Sequence, residues 1–463
     1  MRLRGKVAGL SFALGMALGC GFDEPGRAIY GSDNTFEDQF GSGLVLSADG
    51  QTLGVGAPGD ASNASGINGN QADHSFYSAG AVYVFSRVAD TWPQQAYVKA
   101  SNPGPANYFG ASIAISSDGS TLVVGATGDS LTATGINGDQ TDTSGTGAVY
   151  VFVRTGTSWS QQAYIKVSTT DTRVQLEFGK VVALSADGST LAVGAPGDPA
   201  SALRPDGFPA NTGAVYVFTR AGSTWSQEAY LKGSTTTPGQ NFGSAIALSS
   251  DGSTLAIGSI HDASNATGIN GDPTNGDAYN SGAVFVYARA GGAWSQQAYV
   301  KASNTLETNE FGSSVALSAD GSLLAVGAPL ENSSSKGIDG DQTQNIHDGE
   351  SSGAVYVFVR DQGTWSQQTY VKASDSRPII WFGRVVAFAP DGSALFVSTL
   401  DDRGGTVYTF KRSGTTWSEK TSLWRPGYGS WGAAIAPSSD ASTIAIGTTG
   451  QGAYVFLGGL PQR

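Results

Sequence analysis

Four polar loops of the chain repeat oxygen-bearing side chains at one spacing. Counting the first acid of each loop as position 0, an acid or amide recurs at positions 8, 10 and 13. The residues are Asp60, Asn68, Asn70 and Asp73; Asp129, Asn137, Asp139 and Asp142; Asp262, Asn270, Asp272 and Asn275; and Glu331, Asp339, Asp341 and Gln344. Calcium takes several oxygen ligands from a tightly turning chain, so these loops predict calcium as a possible cofactor. The alternative is that Asn-Gly and Asp-Gly pairs form turns in which these side chains bond nearby amides.

Catalytic chemistry has little support in the same loops. The three histidines, His74, His261 and His347, occupy non-equivalent positions, and a solvated loop histidine is the simpler interpretation. No histidine pair has metal-ligand spacing in the sequence, and no two carboxylates stand out as a hydrolase acid/base pair. We therefore predict no catalytic residues and a protein that is not an enzyme.

A repeated unit must position these loops. Each unit has four strand patterns, a tight Asp-Gly turn after the first, and a long polar loop after the second. Seven aromatic-Gly pairs open the units: Phe40-Gly41, Phe109-Gly110, Phe178-Gly179, Phe242-Gly243, Phe311-Gly312, Phe382-Gly383 and Trp431-Gly432. The pattern predicts an all-β fold, a seven-bladed β-propeller with four-stranded antiparallel blades. Because strands alternate in direction, the loops after strands two and four of each unit lie on one rim.

The last unit lacks a fourth strand, and the N-terminal region offers one. The segment Ala28–Asn34 precedes Phe40 much as Ala298–Asn304 precedes Phe311. We predict that this N-terminal strand completes the last blade and removes an open sheet edge. The propeller then comprises residues 28–463, after a leader of residues 1–20 and a short linker of residues 21–27.

Two further residue types recur along the predicted fourth strands. We expect the tryptophans to pack blade edges against one another, although repeated sugar-stacking sites are an alternative. We expect the lysines to lie on exposed strand edges, where they hinder edge-to-edge aggregation. The tryptophans are Trp92, Trp159, Trp225, Trp294, Trp365 and Trp417, and the lysines are Lys99, Lys166, Lys232, Lys301 and Lys372.

The first twenty residues have the composition of a secretory signal peptide. Basic residues precede an apolar run, residues 7–18, that is too short to span a bilayer. The run ends in Ala17-Leu18-Gly19-Cys20, which resembles the lipobox of bacterial lipoproteins. The resemblance implies a lipidated Cys20 as the first mature residue and a secreted protein anchored to a bacterial cell envelope membrane. Cleavage as an ordinary signal peptide is the alternative.

The net charge of the chain disfavours one class of binding partner. The 463-residue chain has a formal net charge of -12, which disfavours binding to a phosphate backbone. We therefore predict that nucleic acid is not a partner.

The Phe-Gly openings, together with Gly-Ala-Pro at 56–58, 194–196 and 327–329, resemble FG-GAP repeats, as in the N-terminal propeller of integrin α-subunits. The resemblance implies an extracellular adhesion or ligand-binding role. The calcium loop that many such repeats carry between strands one and two has no counterpart in turns such as Ser185–Gly188. We predict a non-enzymatic cell-surface protein whose long loops bind a protein or glycan ligand. The alternatives are a secreted hydrolase or lyase acting on polysaccharide, and a lectin with sugar sites between blades.

Overall fold

The computed structural model describes residues 26–33, 35–130, 134–138, 146–167, 176–203, 209–235, 239–343, 351–400, 404–426, 430–450 and 452–461. Thirty short strands and one turn of 3-10 helix make up its regular structure. No helix among these residues has the length and apolar character needed to span a membrane.

The strands follow one another in repeated groups. The chain opens with β1 (Arg27–Ile29) and the 3-10 helix (Phe36–Asp38). Blade 1 contains β2 (Gly43–Leu46), β3 (Thr52–Ala57), β4 (Ala81–Ser86) and β5 (Gln94–Val98). Blade 2 contains β6 (Ser112–Ile115), β7 (Thr121–Ala126), β8 (Ala148–Thr155) and β9 (Ser158–Ile165). Blade 3 contains β10 (Val182–Leu184), β11 (Thr190–Ala195), β14 (Ala214–Ala221) and β15 (Thr224–Leu231), with an extra hairpin of β12 (Pro199–Leu203) and β13 (Pro209–Asn211).

The second half of the chain continues the pattern. Blade 4 contains β16 (Phe242–Leu248), β17 (Thr254–Ser259), β18 (Ala283–Ala290) and β19 (Ala293–Val300). Blade 5 contains β20 (Ser314–Leu317), β21 (Leu323–Ala328), β22 (Ala354–Asp361) and β23 (Thr364–Val371). Blade 6 contains β24 (Val386–Phe388), β25 (Ala394–Ser398), β26 (Gly404–Ser413) and β27 (Thr416–Pro426). Blade 7 contains β28 (Ile435–Pro437), β29 (Thr443–Thr448) and β30 (Gly452–Leu457).

These groups form seven four-stranded antiparallel sheets, which confirms the predicted propeller. The first strands of neighbouring blades contact one another around the whole ring, so they are the innermost strands. The seventh sheet is completed by β1, which pairs with β30 so that Ala28 lies opposite Tyr454. Closure by the N-terminal strand is therefore confirmed, although the strand has only three residues.

The turns that join first and second strands are linked to one another by hydrogen bonds in a closed ring, outside the ring of first strands. In blade 5, Asp320 accepts hydrogen bonds from Ser318 Oγ and from the backbone N–H of Ser322. Partial burial alone would raise the pKa of Asp320, but these hydrogen bonds lower it below its usual value. Backbone hydrogen bonds also join each turn to the next blade. Their donors are the N–H groups of Ala48, Ser117, Ala186, Ser250, Ala319, Asp391 and Ser439.

The glycines of the repeat lie where neighbouring blades approach most closely. A Cβ added to Gly327 in β21 would come within 2.0 Å of the carbonyl oxygen of Gly383, which follows Phe382 in the next blade. The same contact with the next aromatic-Gly pair recurs at Gly56, Gly125, Gly194, Gly258 and Gly447. Only glycine permits this approach. The glycine of a second strand and the aromatic-Gly pair of the next blade therefore meet at each of these interfaces.

The tryptophans also join neighbouring blades. Trp365 Nε1 in β23 donates a hydrogen bond of 2.8 Å to Gln297 Oε1 in the preceding blade. Equivalent bonds run from Trp159 to Gln95, Trp225 to Gln162, Trp294 to Glu228 and Trp417 to Gln368. All six tryptophans except the half-buried Trp294 are buried, which confirms their predicted packing role.

Candidate functional site

All the long loops lie on one rim, which we call the long-loop rim. Its described residues belong to the loops after second strands, within 58–80, 127–147, 196–213, 260–282, 329–353, 399–403 and 449–451. Described residues of the loops after fourth strands complete it, within 30–42, 99–111, 166–181, 232–241, 301–313, 372–385 and 427–434. Between the described strands, the opposite rim has only tight turns.

The acids at position 0 of the patterned loops form buried ion pairs with the lysines that follow fourth strands. Asp262 Oδ1 lies 3.2 Å from Lys301 Nζ and accepts a hydrogen bond of 2.7 Å from Tyr299 Oη. Burial lowers the pKa of Lys301 to about 8, and the Asp262 carboxylate partly offsets that effect, so the ammonium form prevails at neutral pH. The other patterned pairs are Asp60 with Lys99, Asp129 with Lys166, and Glu331 with Lys372, and Asp198 with Lys232 makes the same contact in blade 3.

The predicted exposure of these lysines is therefore wrong. Lys99, Lys166, Lys301 and Lys372 are at most 2% exposed, and only Lys232 is partly accessible. Each ammonium group forms an ion pair with the loop acid, which is buried inside the blade. The sequence pattern of four loops also missed a fifth pair, because the loop of Asp198 has Phe208 rather than an acid or amide at position 10. Its signal was the shared run Gly-Ala-Pro-Gly-Asp at residues 56–60 and 194–198, together with Tyr230-Leu231-Lys232.

The residue at position 8 of each patterned loop bonds that loop to the outer strand of its own blade. Asn68, for example, has a left-handed backbone with a φ of 58°, and its Oδ1 accepts a hydrogen bond of 2.9 Å from the N–H of Tyr97. The preceding residue, Ile67, forms an antiparallel bridge with Val98. Asn137, Asn270 and Asp339 make the same bond to Tyr164, Tyr299 and Tyr370. This part of each loop covers a strand edge rather than facing a ligand.

Positions 10 and 13 form local turns wherever the structure describes them. Asn70, Asp272 and Asp341 each accept a hydrogen bond from the N–H two residues ahead, and so do Asp73 and Asn275. Asp139, Asp142 and Gln344 lie outside the described residues. Within the described part of the chain, no three His, Cys, Asp or Glu side chains are grouped so that they could hold a metal ion. Calcium binding stays a prediction, whereas the turn-forming role is observed.

A different set of residues surrounds the channel mouth on the long-loop rim. The residue before each aromatic-Gly pair begins a tight turn, in which its carbonyl oxygen accepts the N–H three residues ahead. We call these residues the inner-turn ring: Gln39, Tyr108, Glu177, Asn241, Glu310, Trp381 and Ser430. Because the innermost strand of each blade starts just after them, they lie around the central axis.

The backbone of the inner-turn ring is strained. Its first six members have φ values between 48° and 55°, a left-handed conformation that costs about 1 kcal/mol for a non-glycine residue. Glycine would relieve this strain, yet no member is glycine. Packing does not explain why these positions carry side chains instead of glycine, since Gln39, Tyr108 and Trp381 are exposed and the others are half-buried. The side chains are therefore candidates for direct contact with a ligand.

Neighbouring loops extend this ring outward. The backbone N–H of Tyr108 donates to the carbonyl of Ser78, which brings the exposed Tyr77 beside Tyr108. Between blades 3 and 5, His261 Nδ1 lies 3.1 Å from Asn241 Nδ2. Burial raises the pKa of Glu310 above its usual value, and a protonated His261 would partly oppose that shift. The ring thus combines aromatic faces with carboxyl, amide and imidazole groups.

Among the residues that the structure describes, exposed aromatic side chains are confined to this end of the molecule. Eight large aromatics of the described residues are exposed, and each lies in a long-loop-rim loop or in the last residues of a fourth strand leading into it. They are Tyr30, Phe36, Tyr77, Tyr108, Tyr230, Tyr279, Trp381 and Trp424. Sequence analysis missed them because it followed acids and amides, although the variable residue before each Phe-Gly pair was a readable signal.

Comparison with known families agrees with the geometry of the blades. The FG-GAP repeat family matches residues 92–152 and 294–358. The chain contains FG-GAP repeats. No curated protein matches the chain. Each matched FG-GAP segment runs from a tryptophan that opens or precedes a fourth strand to the third strand of the next blade. The matched segments are thus offset from the blades by one strand, and blade 7 is completed by β1.

Proposed function

We propose that this FG-GAP propeller is a non-enzymatic binding protein that holds a protein or glycan ligand on its long-loop rim, centred on the inner-turn ring. The observation that carries the proposal is that the eight exposed aromatics of the described residues all lie at that end. Exposed aromatic side chains supply large contact areas at low entropic cost and are typical anchors of binding sites.

The rim is also well suited to present such anchors without rearrangement. Ion pairs, four of them fully buried, tie five of its loops to the ends of fourth strands, and backbone bridges fix four of these loops along strand edges. A pre-organised surface loses less conformational entropy when it binds. FG-GAP propellers as a fold are associated with binding and adhesion, which favours the same role.

Substitution of the two ring aromatics tests this proposal. The full chain is screened on a glycan array and against immobilised extracellular-matrix proteins, with calcium chloride and separately with EDTA. For any ligand found, Tyr108→Ala and Trp381→Ala should each weaken binding by about tenfold or more, as anchor residues do. Val88→Ala, an exposed residue on the opposite rim, is the control and should leave affinity unchanged. Binding that survives both ring substitutions would contradict the proposal, whereas loss only in EDTA would support calcium as a cofactor.

The polysaccharide-acting enzyme is the second candidate, because Glu310 on the ring has a raised pKa, as a general acid would. Glycans that bind are therefore incubated with the protein and assayed for new reducing ends. If reducing ends are released and Glu310→Gln abolishes that release, the protein would be a hydrolase or lyase and the non-enzymatic role would be wrong. A lectin with sites between blades would bind glycans equally well after both ring substitutions.

The location of the protein is a separate proposal. We propose that it is secreted and anchored through a lipidated Cys20 to a bacterial cell envelope membrane, with the long-loop rim free for its ligand. In a bacterial host, Cys20→Ser should release the protein from the membrane fraction. Mass spectrometry of the mature N-terminus provides the direct check, and an unmodified Cys20 would contradict the proposal.

A further inference from the structure

The outer strands of four blades are paired at their rim end with a short segment of their own long loop. In blade 1 this segment is residues 66–68, which lie antiparallel to the end of β5. The N–H of Lys99 donates to the carbonyl of Gly66 at 2.8 Å, and the N–H of Asn68 donates to the carbonyl of Tyr97 at 2.7 Å. We call residues 66–68, 135–137, 268–270 and 337–339 the covering segments, because all four make these bonds.

The outer strand of blade 6 has no covering segment among the described residues. Only residues 399–403 separate β25 from β26, too few to pass around β26 and β27 and return. Strand β27 is also the longest of the described chain, with eleven residues. Residues 96–100 of blade 1 and their equivalents in the other covered blades are all buried, whereas residues 422–425 of blade 6 are half-buried or exposed.

Strand register shows which backbone groups are left open on β27. It makes Ser422 the equivalent of Tyr97 and Trp424 the equivalent of Lys99. The N–H and carbonyl of Ser422 and the N–H of Trp424 therefore point away from β26, as alternate residues of an antiparallel ladder do. No described residue bonds these three groups. The buried lysine of the covered blades is absent here, and the indole of Trp424 is 43% exposed beside the open edge.

The covering segments show what kind of backbone this edge accepts. Each reads Gly-Ile-Asn or Gly-Ile-Asp and lies extended along the strand. The glycine carbonyl and the N–H of the third residue bond the strand, and the side-chain oxygen of that residue accepts a further N–H. The isoleucine lies opposite a strand residue equivalent to Leu423, which is half-buried and packs against blade 7.

We propose that an extended segment of a partner protein binds β27 as an antiparallel fifth strand of blade 6. Its backbone accepts the N–H of Trp424 and donates to the carbonyl of Ser422, while an Asn or Asp side chain accepts the N–H of Ser422. An aliphatic residue of the partner lies opposite Leu423. Addition of a strand to an open sheet edge is a common mode of peptide recognition, in which the backbone supplies most of the affinity. This site lies at the outer edge of one blade and does not depend on the inner-turn ring.

Binding of a synthetic peptide to the full chain tests the inference. The probe is a fluorescein-labelled peptide with the sequence of residues 266–272, Ala-Thr-Gly-Ile-Asn-Gly-Asp, followed by fluorescence anisotropy. Saturable binding with a Kd below about 1 mM is expected. N-methylation of the asparagine removes the donor to Ser422 and should weaken binding about fivefold or more. N-methylation of the isoleucine is the matched control and should leave affinity within about twofold, because that N–H points away from the strand.

Two substitutions at one position test the same edge from the side of the protein. Trp424→Pro removes the open N–H and should weaken binding about tenfold or more, and proline is tolerated on an edge strand. Trp424→Ala keeps the N–H and should have a smaller effect, and melting temperatures verify that both variants fold. If the proline variant does not fold, the two methylated peptides still decide the question.

Three results would overturn the inference. They are no saturable binding below about 1 mM, equal affinity of the two methylated peptides, and a dimer of the full chain that Trp424→Pro dissociates. The dimer would assign the edge to a second copy of the chain, and sedimentation of the peptide-free protein detects it.

Discussion

Replacement of Lys372 by methionine is expected to destabilise the propeller by about 3 to 5 kcal/mol, the range for breaking a buried ion pair. Lys372 is fully buried, and its Nζ bonds Glu331 Oε2 at 2.6 Å, the carbonyl of Ser333 at 2.9 Å and Ser352 Oγ at 2.6 Å. Methionine fills similar space without the charge, so Glu331 remains buried without its cation. Urea unfolding at neutral pH measures the change.

Two variants separate the charge effect from a general loss of packing. Lys336→Met removes an exposed lysine of the same blade and should change the free energy of unfolding by less than about 0.5 kcal/mol. The double variant Lys372→Met with Glu331→Leu removes both charges and should recover more than half of the loss, since buried pairs can be replaced by apolar side chains. If the double variant were less stable than Lys372→Met, the ion pair would not be the cause.

The second large effect is expected from a single methyl group, in Gly327→Ala. Its backbone φ is one that alanine can adopt, so the cost comes from the clash alone. The new Cβ would lie 2.0 Å from the carbonyl oxygen of Gly383, and both atoms belong to backbone in tightly packed strands. Relief requires two blades to move apart, so we expect a loss of about 3 kcal/mol or more in the free energy of unfolding.

Two other glycines provide matched controls for that substitution. Gly337 has a φ of 71° with nothing within 4 Å of an added Cβ, so Gly337→Ala measures backbone strain alone, about 1 kcal/mol. Gly276 has neither a positive φ nor a neighbour within 4 Å, so Gly276→Ala should be nearly neutral. From most to least stable, the predicted order of the variants is Gly276→Ala, Gly337→Ala and Gly327→Ala. A Gly327→Ala protein as stable as Gly337→Ala would show that the blades accommodate the methyl group.

These two predictions concern the scaffold, and the polar loops are part of that scaffold. The loops are rich in acids and amides because those groups bind lysine ammonium groups and backbone N–H groups of their own blade. Their conspicuous spacing therefore reflects repeated folding constraints. The residues of the inner-turn ring differ from blade to blade, and they are the ones that we propose contact a ligand.

The sequence by itself determined the number of blades, their strand order and the closure by the N-terminal strand. Those features follow from local signals repeated at fixed spacing, such as Phe311-Gly312 and Asp320-Gly321, which act within a few residues along the chain. The packing role of the tryptophans was also predictable, since a large aromatic recurring at an outer strand has few other uses.

Only the tertiary structure decided which groups meet across long separations. Lys372 and Glu331 are 41 residues apart, and no local pattern shows that a fourth-strand lysine turns inward to a loop acid. The inner-turn ring gathers residues from seven units. Burial, charge pairing and close approach are properties of that three-dimensional arrangement, so the spacing of residues along the chain does not encode them.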